Sequence, residues 1–451
     1  MDGAFSLERF GLHPWTVTLR PDIHVPIDRW TALAYLLVAV VAAYATRRRP
    51  AYGLAALIVA TPLGLARYVG TTSLTIEKAA VIGFVGALIV ARPFWTVLGN
   101  PPVRRIALAL AGALAAIAIS AIEAQDRLAV ARELLKWTEY GVVFLACAVA
   151  FAADSDERPI WRAIGIGGTI VAVSALAQYV VGANAGIFVR GGSVPRIAGL
   201  LEGPNQLSGY LGLLLPVVLA RNLLHRDAGL LAFFSLLAVT DVLTLSRSGI
   251  VAAIVGCAIV FFVLRPPRIV RTRSIVGVLA IAALAVFFAL RAGFSEQYFS
   301  LAPVPQPADH LGNRAILWRA AIVMWKRSPI VGVGAGNFEE DLPEAGAPGV
   351  HTHANSIYLQ SLAEGGVIML AATLGIFATI LVTFGRSGVR VPLVTGALAA
   401  TVGFAVHQLY DDLVFFPKVG VMWWILVGLA AGELARRAIR SQRQMREPVA
   451  A

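Results

Sequence analysis

The sequence predicts an all-α polytopic membrane protein with about 12–13 transmembrane helices and one long, partly helical loop between the tenth and eleventh spans. Its 451 residues are 58% hydrophobic and 14% charged, whereas soluble domains are about 45–50% apolar and about 25% charged. The mean hydropathy is +0.75. The apolar runs are continuous and do not alternate with polar residues, which indicates helical spans and not strands.

Each predicted span is an apolar stretch close to the length that crosses a bilayer, which is about 20 residues. The second and the seventh stretches carry the least support. The predicted spans are 31–46, 51–68, 78–96, 105–122, 134–153, 160–180, 205–221, 228–246, 249–265, 274–291, 355–384, 391–409 and 418–435.

The orientation follows from arginines in alternate short connections, because cytoplasmic loops are enriched in Lys and Arg. An odd number of spans then places the N-terminus outside and the C-terminus in the cytoplasm. The arginines that set this orientation are Arg47–Arg49, Arg104, Arg105, Arg158, Arg162, Arg221, Arg226, Arg265, Arg268, Arg271, Arg273, Arg386, Arg390, Arg436, Arg437, Arg440, Arg443 and Arg446.

The predicted organisation has five parts, with no soluble domain and no internal repeat. The net charge of +12 is accounted for by orientation and by contact with anionic lipid headgroups, so we expect no nucleic-acid partner. The parts are an N-terminal non-cytoplasmic tail (1–28), a transmembrane bundle of about ten spans (29–291), an outer loop (292–353), C-terminal transmembrane helices (354–437) and a basic cytoplasmic tail (438–451).

Five arginines on the predicted outer face oppose the orientation rule, and an anion bound on that face would explain them. Guanidinium groups suit phosphate because they stay charged and bond it bidentately. An Arg between two apolar runs must find an anionic partner or reach the interface. These residues are Arg190, Arg196, Arg247, Arg314 and Arg319.

The loop 292–353 is too long to be a plain connector, so we expect it to have structure of its own. Residues 313–328 place Ile316, Leu317, Ala320, Ala321 and Met324 at helical spacing, which predicts a short amphipathic helix ended by Ser328-Pro329. The glycines at 332, 334 and 336 predict a flexible turn.

His351 and His353 precede the span that begins near Asn355. One interpretation is a pair of interfacial histidines that caps a helix. A second is a metal site, although no nearby residues complete a ligand set. We prefer a neutral imidazole that serves as general base, because His titrates near the working pH.

Two further polar motifs have simple structural interpretations. Gly203-Pro204-Asn205-Gln206 is typical of a turn and helix N-terminus. Asp411-Asp412 could bind a cation, but a solvated turn is the simpler hypothesis.

The ordered set of motifs over residues 195–370 resembles the O-antigen ligase and polymerase superfamily of membrane glycosyltransferases, which are GT-C-like. Each motif is weak alone, and the flanking spans match only in hydropathy. The motifs are Gly203-Pro204-Asn205-Gln206-Leu207, Leu245-Ser246-Arg247-Ser248-Gly249, Asn313-Arg314 with Trp318, Ser328-Pro329-Ile330-Val331-Gly332-Val333-Gly334 with Asn337-Phe338, the His-rich element, Tyr358-Leu359-Gln360 and Glu364-Gly365-Gly366.

The resemblance implies transfer of a glycan from an undecaprenyl-diphosphate carrier in the bacterial inner membrane, at a site facing the periplasm, without metal or cofactor. The acceptor is lipid A–core for a ligase, or a second carrier-linked glycan for a polymerase. We prefer the ligase hypothesis. By this likeness Arg247 and Arg314 bind the diphosphate and His353 activates the acceptor hydroxyl. Many members have His-Asn before Tyr-Leu-Gln, where this chain has Ala354-Asn355-Ser356. The base therefore lies between His353, which we prefer, and His351.

Further substrate contacts are expected from residues beside these motifs. They are Asn205, Arg196, Arg190, Arg319, His351, Asn355 and Tyr358.

Two other classes of function are weighed against this one. A transporter should carry its charges at mid-membrane and show related halves, whereas the candidate residues here collect at one face. A non-catalytic membrane scaffold has no need for arginines that approach a histidine.

Overall fold

The chain folds as an all-α polytopic membrane protein, as predicted. The computed structural model describes residues 27–64, 66–69, 72–89, 94–154, 156–181, 189–190, 194–265, 314–387 and 391–446. In this part of the chain, eight helices are long and apolar enough to cross a membrane by length and composition. The predicted tenth span and residue Asn313 lie outside the described residues.

The described helices are joined mostly by short connections. They are α1 Arg29–Arg48, α2 Pro50–Ala60, α3 Ile76–Ile89, α4 Phe94–Leu98, α5 Pro101–Ser120, α6 Arg127–Ala153, α7 Arg158–Val181, α8 Pro204–His225, α9 Ala228–Leu243, α10 Arg247–Leu264, α11 Arg314–Arg327, α12 Phe338–Asp341, α13 Ile357–Gly385, α14 Pro392–His407 and α15 Pro417–Arg446. Two antiparallel hairpins pair β1 Ala66–Val69 with β2 Thr72–Thr75, and β3 Val189–Arg190 with β4 Val194–Pro195.

Helix starts follow local sequence signals. The side chains of Asp126 and Ser246 accept hydrogen bonds from backbone N–H groups in the first turns of α6 and α10. Gly203 precedes α8, and Pro204 occupies its first turn, where a missing N–H costs nothing. The predicted turn and helix start at Gly203-Pro204 is therefore confirmed.

Two predicted spans extend further along the chain than the helices that the structure describes there. The second, 51–68, was too long, because α2 ends at Ala60 and the chain then turns at Thr61-Pro62 before it enters the β1–β2 hairpin. In the third, 78–96, the structure describes α3 up to Ile89, and residues 90–93 lie outside the described residues.

The centre of the bundle is α15, which α6 accompanies along its length. Trp423 and Trp424 of α15 are fully buried. Close approach depends on small residues, since a Cβ on Gly428 would lie 2.7 Å from Cys147 Cβ. The helices α8, α10 and α14 pack together, and α13 packs on α5.

The start of α13 lies at the same end of the bundle as the α14–α15 connection. The backbone N–H of Ile357 donates to the carbonyls of Gln408 and Asp411, each at 3.2 Å. Tyr140 of α6 donates to the carbonyl of Val414 at 2.8 Å. This end, on the predicted outer face, carries the candidate site.

At the end of the bundle opposite the candidate site, ion pairs that are buried or partly buried connect the helices. Arg436 of α15 is 8% exposed at its side chain and pairs with Glu433 and Glu157. Arg49 donates to Asp154 at 2.7 Å. These contacts join α15, the α6–α7 connection and the start of α2.

Residues 314–353 have structure of their own, as predicted. Helix α11 matches the predicted amphipathic helix, and Leu317 and Met324 pack into a small core with Phe338 and Leu342. Ile316 was expected on the apolar face but is 42% exposed.

Candidate functional site

The glycine-rich run 332–336 is docked onto a break in helix α13 and is not the flexible turn that the sequence predicts. The N–H of Val333 donates to the carbonyl of Ala363 at 3.0 Å, and that of Gly334 to the carbonyl of Glu364 at 2.8 Å. Helix α13 is interrupted at Gly366, with φ 59° and ψ −156°, a conformation that requires glycine. The motifs around 328–334 and 364–366 are therefore two sides of one backbone contact.

Glycine is needed in this run for close approach as well as for conformation. Gly332 has φ +70°, and a Cβ there would lie 2.2 Å from the carbonyl carbon of Glu364. A Cβ on Gly334, at φ +105°, would lie 2.4 Å from Ala124 Cβ. Any larger residue would force the run off its supports.

Asn337 fastens the other side of the run to the α5–α6 connection. Its Oδ1 accepts from the N–H of Asp126 at 2.7 Å, and its Nδ2 donates to the carbonyl of Asp126 at 3.1 Å. Next to it, the N–H of Ala335 donates to Ser120 Oγ at 2.9 Å. The motif residues Asn337-Phe338 therefore hold the loop in place.

A small pocket of about 70 Å³, lined largely by polar and charged residues, opens beneath this loop. Its walls come from α6, the segment before α13, α13 itself and the α14–α15 connection. The lining residues are Glu133, Lys136, Gly336, Phe338, Glu339, Thr352, His353, Gln360, Glu364, Asp412 and Phe415.

His353 lies in this pocket with its side chain 8% exposed. Its ring packs against Phe415 and Phe416, with centroid distances of 5.1 and 5.5 Å. Nδ1 accepts from the N–H of Asn355 at 3.1 Å, and Nε2 lies 4.0 Å from Asp411 Oδ1. A neutral ring with this contact carries its proton on Nε2.

The other candidate histidine, His351, stands at the rim. Its side chain is 75% exposed, and Nδ1 lies 3.0 Å from Glu339 Oε1. Asn355 has φ +51°, a left-handed conformation that Asn tolerates better than most residues. Of the two histidines, His353 is the one that the fold encloses with acidic and aromatic groups.

The acidic groups of the pocket are held by specific partners. Lys136 Nζ lies 2.8 Å from Glu133 Oε1, and Glu364 Oε1 accepts from Gln360 Nε2 at 2.7 Å. Asp412 accepts from the N–H of Phe415 at 3.2 Å. Burial raises the pKa of the Asp412 carboxyl, while the nearby His353 and Lys136 partly offset that rise.

Arg196 and Asn205 form a second group at the same end of the bundle. Arg196 Nη2 donates to Asn205 Oδ1 and Arg196 Nε to the carbonyl of Thr244, each at 2.9 Å. Three residues after Thr244, Arg247 begins α10 and is exposed. Arg247 and Asn205 thus lie in the first turns of α10 and α8, where unpaired N–H groups and the helix dipole favour an anion.

Buried His407 links this group to His353 and Arg314. A Cβ on Gly249, two residues after Arg247, would lie 3.0 Å from His407 Cε1. His407 also interacts electrostatically with Arg314 and Asp411, and Asp411 is the neighbour of His353. The first turn of α10, Arg314 and Asp411, the neighbour of His353, therefore all lie near His407 at the end of α14.

The remaining predicted substrate residues lie elsewhere. Arg319 is exposed on α11, and Arg190 lies in β3. Tyr358 donates to the carbonyl of Ala405 at 2.9 Å and packs on Phe377. Neither Arg319 nor Tyr358 lines the pocket, and the roles of all three residues stay predictions.

Sequence reasoning missed the acidic side of the pocket. Asp411 and Asp412 were expected in a solvated turn, but their side chains are buried, because the connection folds back under α13. Lys136, inside an apolar span, was the available signal, since a charge there usually marks function. Within the described residues, no group of three His, Cys, Asp or Glu side chains is arranged to hold a metal ion.

Comparison with known proteins supports the resemblance. Residues 232–374 match the model of the O-antigen ligase family, a stretch that runs from α9 through the broken helix α13. Comparison with curated proteins gave no match.

Proposed function

We propose, from the O-antigen ligase domain at residues 232–374, that this membrane protein transfers a glycan from an undecaprenyl-diphosphate carrier to an acceptor hydroxyl. The reaction takes place at the periplasmic face of the bacterial inner membrane, and the acceptor is lipid A–core. The protein is thus a member of the O-antigen ligase and polymerase type of glycosyltransferase that acts as a ligase.

The observation that supports this proposal best is the placement of arginines and an enclosed His–Asp pair around one helix end. Arg247 starts α10 beside the Arg196–Asn205 pair, and His353 lies 4.0 Å from Asp411. Fixed guanidinium donors stabilise the charge that develops on a diphosphate leaving group. A neighbouring base makes the acceptor hydroxyl more nucleophilic.

In the proposed reaction, the acceptor oxygen attacks the anomeric carbon while the bond from that carbon to the diphosphate oxygen breaks. The hydroxyl proton passes to His353, and the carrier diphosphate leaves on Arg247 and Arg314. To accept at Nε2, His353 must carry its other proton on Nδ1. That tautomer gives up the hydrogen bond from Asn355.

Alanine variants test this proposal in reconstituted vesicles that contain carrier-linked glycan and lipid A–core. We expect Arg247→Ala, Arg314→Ala and His353→Ala each to lower the transfer rate about 10²-fold or more. His351→Ala compares the two candidate bases and should lower the rate by no more than a few fold, because this ring is solvent-exposed at the rim and can supply only a substrate contact there. Full transfer by the His353→Ala variant, with the protein folded, would remove the base assignment.

The choice of acceptor separates a ligase from a polymerase. The purified protein receives the same donor with either lipid A–core or a second carrier-linked glycan. Transfer to lipid A–core supports the ligase, and chain extension on the carrier identifies a polymerase of the same superfamily.

A further inference from the structure

Charge divides the outer end of the bundle into two regions. Arg196, Arg247 and Arg314 lie around the starts of α8, α10 and α11. The pocket around His353 carries four carboxyl side chains, those of Glu133, Glu339, Glu364 and Asp412, against the single ammonium of Lys136. An anionic donor suits the first region, whereas the second repels anions.

The pocket has the groups that bind a sugar ring. Phe415 is 45% exposed although it is large and apolar, and it lies at the pocket wall beside His353 and Lys136. An aromatic face can cover the C–H face of a sugar, while carboxylates accept short hydrogen bonds from hydroxyls.

A second observation also points to a ligand. Asp411 is 1% exposed, and its Oδ2 has no hydrogen-bond partner in the described part of the chain. Its other oxygen, Oδ1, is 4.0 Å from His353. A buried carboxylate oxygen without a partner is costly. Asp411 does not line the pocket itself, so its charge acts on a ligand there through the neighbouring His353 ring.

We infer that the pocket is the acceptor subsite and that it takes an uncharged or amino sugar while it excludes a phosphorylated one. This inference rests on the proposed function, since it assigns the acceptor's side of the reaction. On a phosphate-bearing acceptor such as lipid A–core, the sugar that enters the pocket is therefore one without phosphate.

The exclusion follows from like charges held close together. A phosphate group would enter among four carboxyl groups that share one lysine, Lys136, whose Nζ lies 2.8 Å from Glu133 Oε1. Burial already raises the pKa of Asp412, so added negative charge is unfavourable there. Like-charge contacts of this kind are a general means of rejecting a wrong ligand.

Binding of three probes tests the inference on the full chain in lipid nanodiscs, with no donor present. The probes are glucose, glucosamine and glucose 6-phosphate, and saturation-transfer NMR gives their dissociation constants. For each probe, binding in the pocket is defined as the fraction of its total binding that Phe415→Ala abolishes. We expect glucose and glucosamine to bind there at least about tenfold more tightly than glucose 6-phosphate.

Charge variants provide the matched comparison. Glu133→Gln and Glu339→Gln should each reduce the preference for glucose over glucose 6-phosphate about threefold or more. Glu340→Gln should leave it unchanged, because Glu340 is exposed next to Glu339 but does not line the pocket. Equal Phe415-dependent binding of glucose and glucose 6-phosphate, or none by any probe, would overturn the inference.

The outcomes for the two proposals are distinguishable. The expected binding pattern without glycan transfer to any acceptor would contradict the proposed function and leave the sugar pocket in place. Equally fast transfer to a phosphorylated terminal sugar would contradict the pocket assignment and leave the glycosyltransferase in place.

Discussion

Asp411 is a buried carboxylate next to His353. It is buried, lies 4.0 Å from Nε2, and has one oxygen without a partner in the described structure. We predict that Asp411→Asn, which keeps the shape and removes the charge, lowers glycan transfer about 10–10²-fold. The measurement is the initial rate in reconstituted vesicles.

Asp341→Asn is the control for removal of a buried carboxylate on the same face. Asp341 is also buried, but it accepts from Gln125 at 3.2 Å and does not line the pocket. A rate close to that of the unmodified protein is expected. If both variants lose activity equally, the effect of Asp411 is general and not specific to His353.

The sequence pointed to His353 and to the two arginines because their residue types are rare at membrane depth or stand beside a recognisable motif. Lys136, Asp412 and Phe415 were missed for a physical reason. They surround His353 only because α6 and the α14–α15 connection are adjacent in space, and neither spacing nor hydropathy encodes that adjacency.

At the scale of elements, the broken helix α13 decides where the pocket forms. Gly366 adopts φ 59° and ψ −156°, and a Cβ there would lie 2.3 Å from the carbonyl oxygen of Ile330. We predict that Gly366→Ala destabilises the protein by about 3 kcal/mol or more, from backbone strain plus the steric overlap. Thermal unfolding in detergent measures this.

Gly375→Ala, on the same helix, is the matched control. A Cβ at Gly375 meets nothing within 4 Å, so this change should be neutral or stabilise by about 0.5–1 kcal/mol. An unfolding midpoint of Gly366→Ala equal to that of Gly375→Ala would show that the break is not required.

Helix positions were largely predictable, because length and hydropathy are local properties. The starts of α8 and α14 fall within one residue of the predicted spans 205–221 and 391–409. The break in α13 was not predictable, since Gly365-Gly366 within an apolar run continues the hydropathy pattern. The helix is interrupted because the segment 329–334 docks against it in the folded structure.

At the scale of the whole molecule, the end opposite the pocket is held by buried ion pairs. Arg436 has an 8% exposed side chain and bonds Glu433 at 2.8 Å, and it also pairs with Glu157. Removal of Arg436 leaves the buried Glu433 with the more exposed Arg437 as its neighbouring cation. We predict that Arg436→Met destabilises the protein by about 3–5 kcal/mol, measured by thermal unfolding.

Arg437→Met is the comparison that isolates burial. Arg437 contacts the same Glu433 at 2.6 Å, but its side chain is 53% exposed, so about 0.2–1 kcal/mol is expected. Similar losses in the two variants would indicate that the buried network does not stabilise the bundle.

The wall of the pocket formed by Asp412 and Phe415 has a consequence for biosynthesis. These residues follow α14, so the ribosome makes them after helices α1 to α14, and a nascent chain that has reached only the end of α14 lacks them. On the proposed assignment of His353, the pocket around this residue is complete only after the chain beyond α14 has been made. A chain that stops at the end of α14 contains Arg247 and Arg314, the proposed carrier-binding residues, but lacks two residues of the pocket wall.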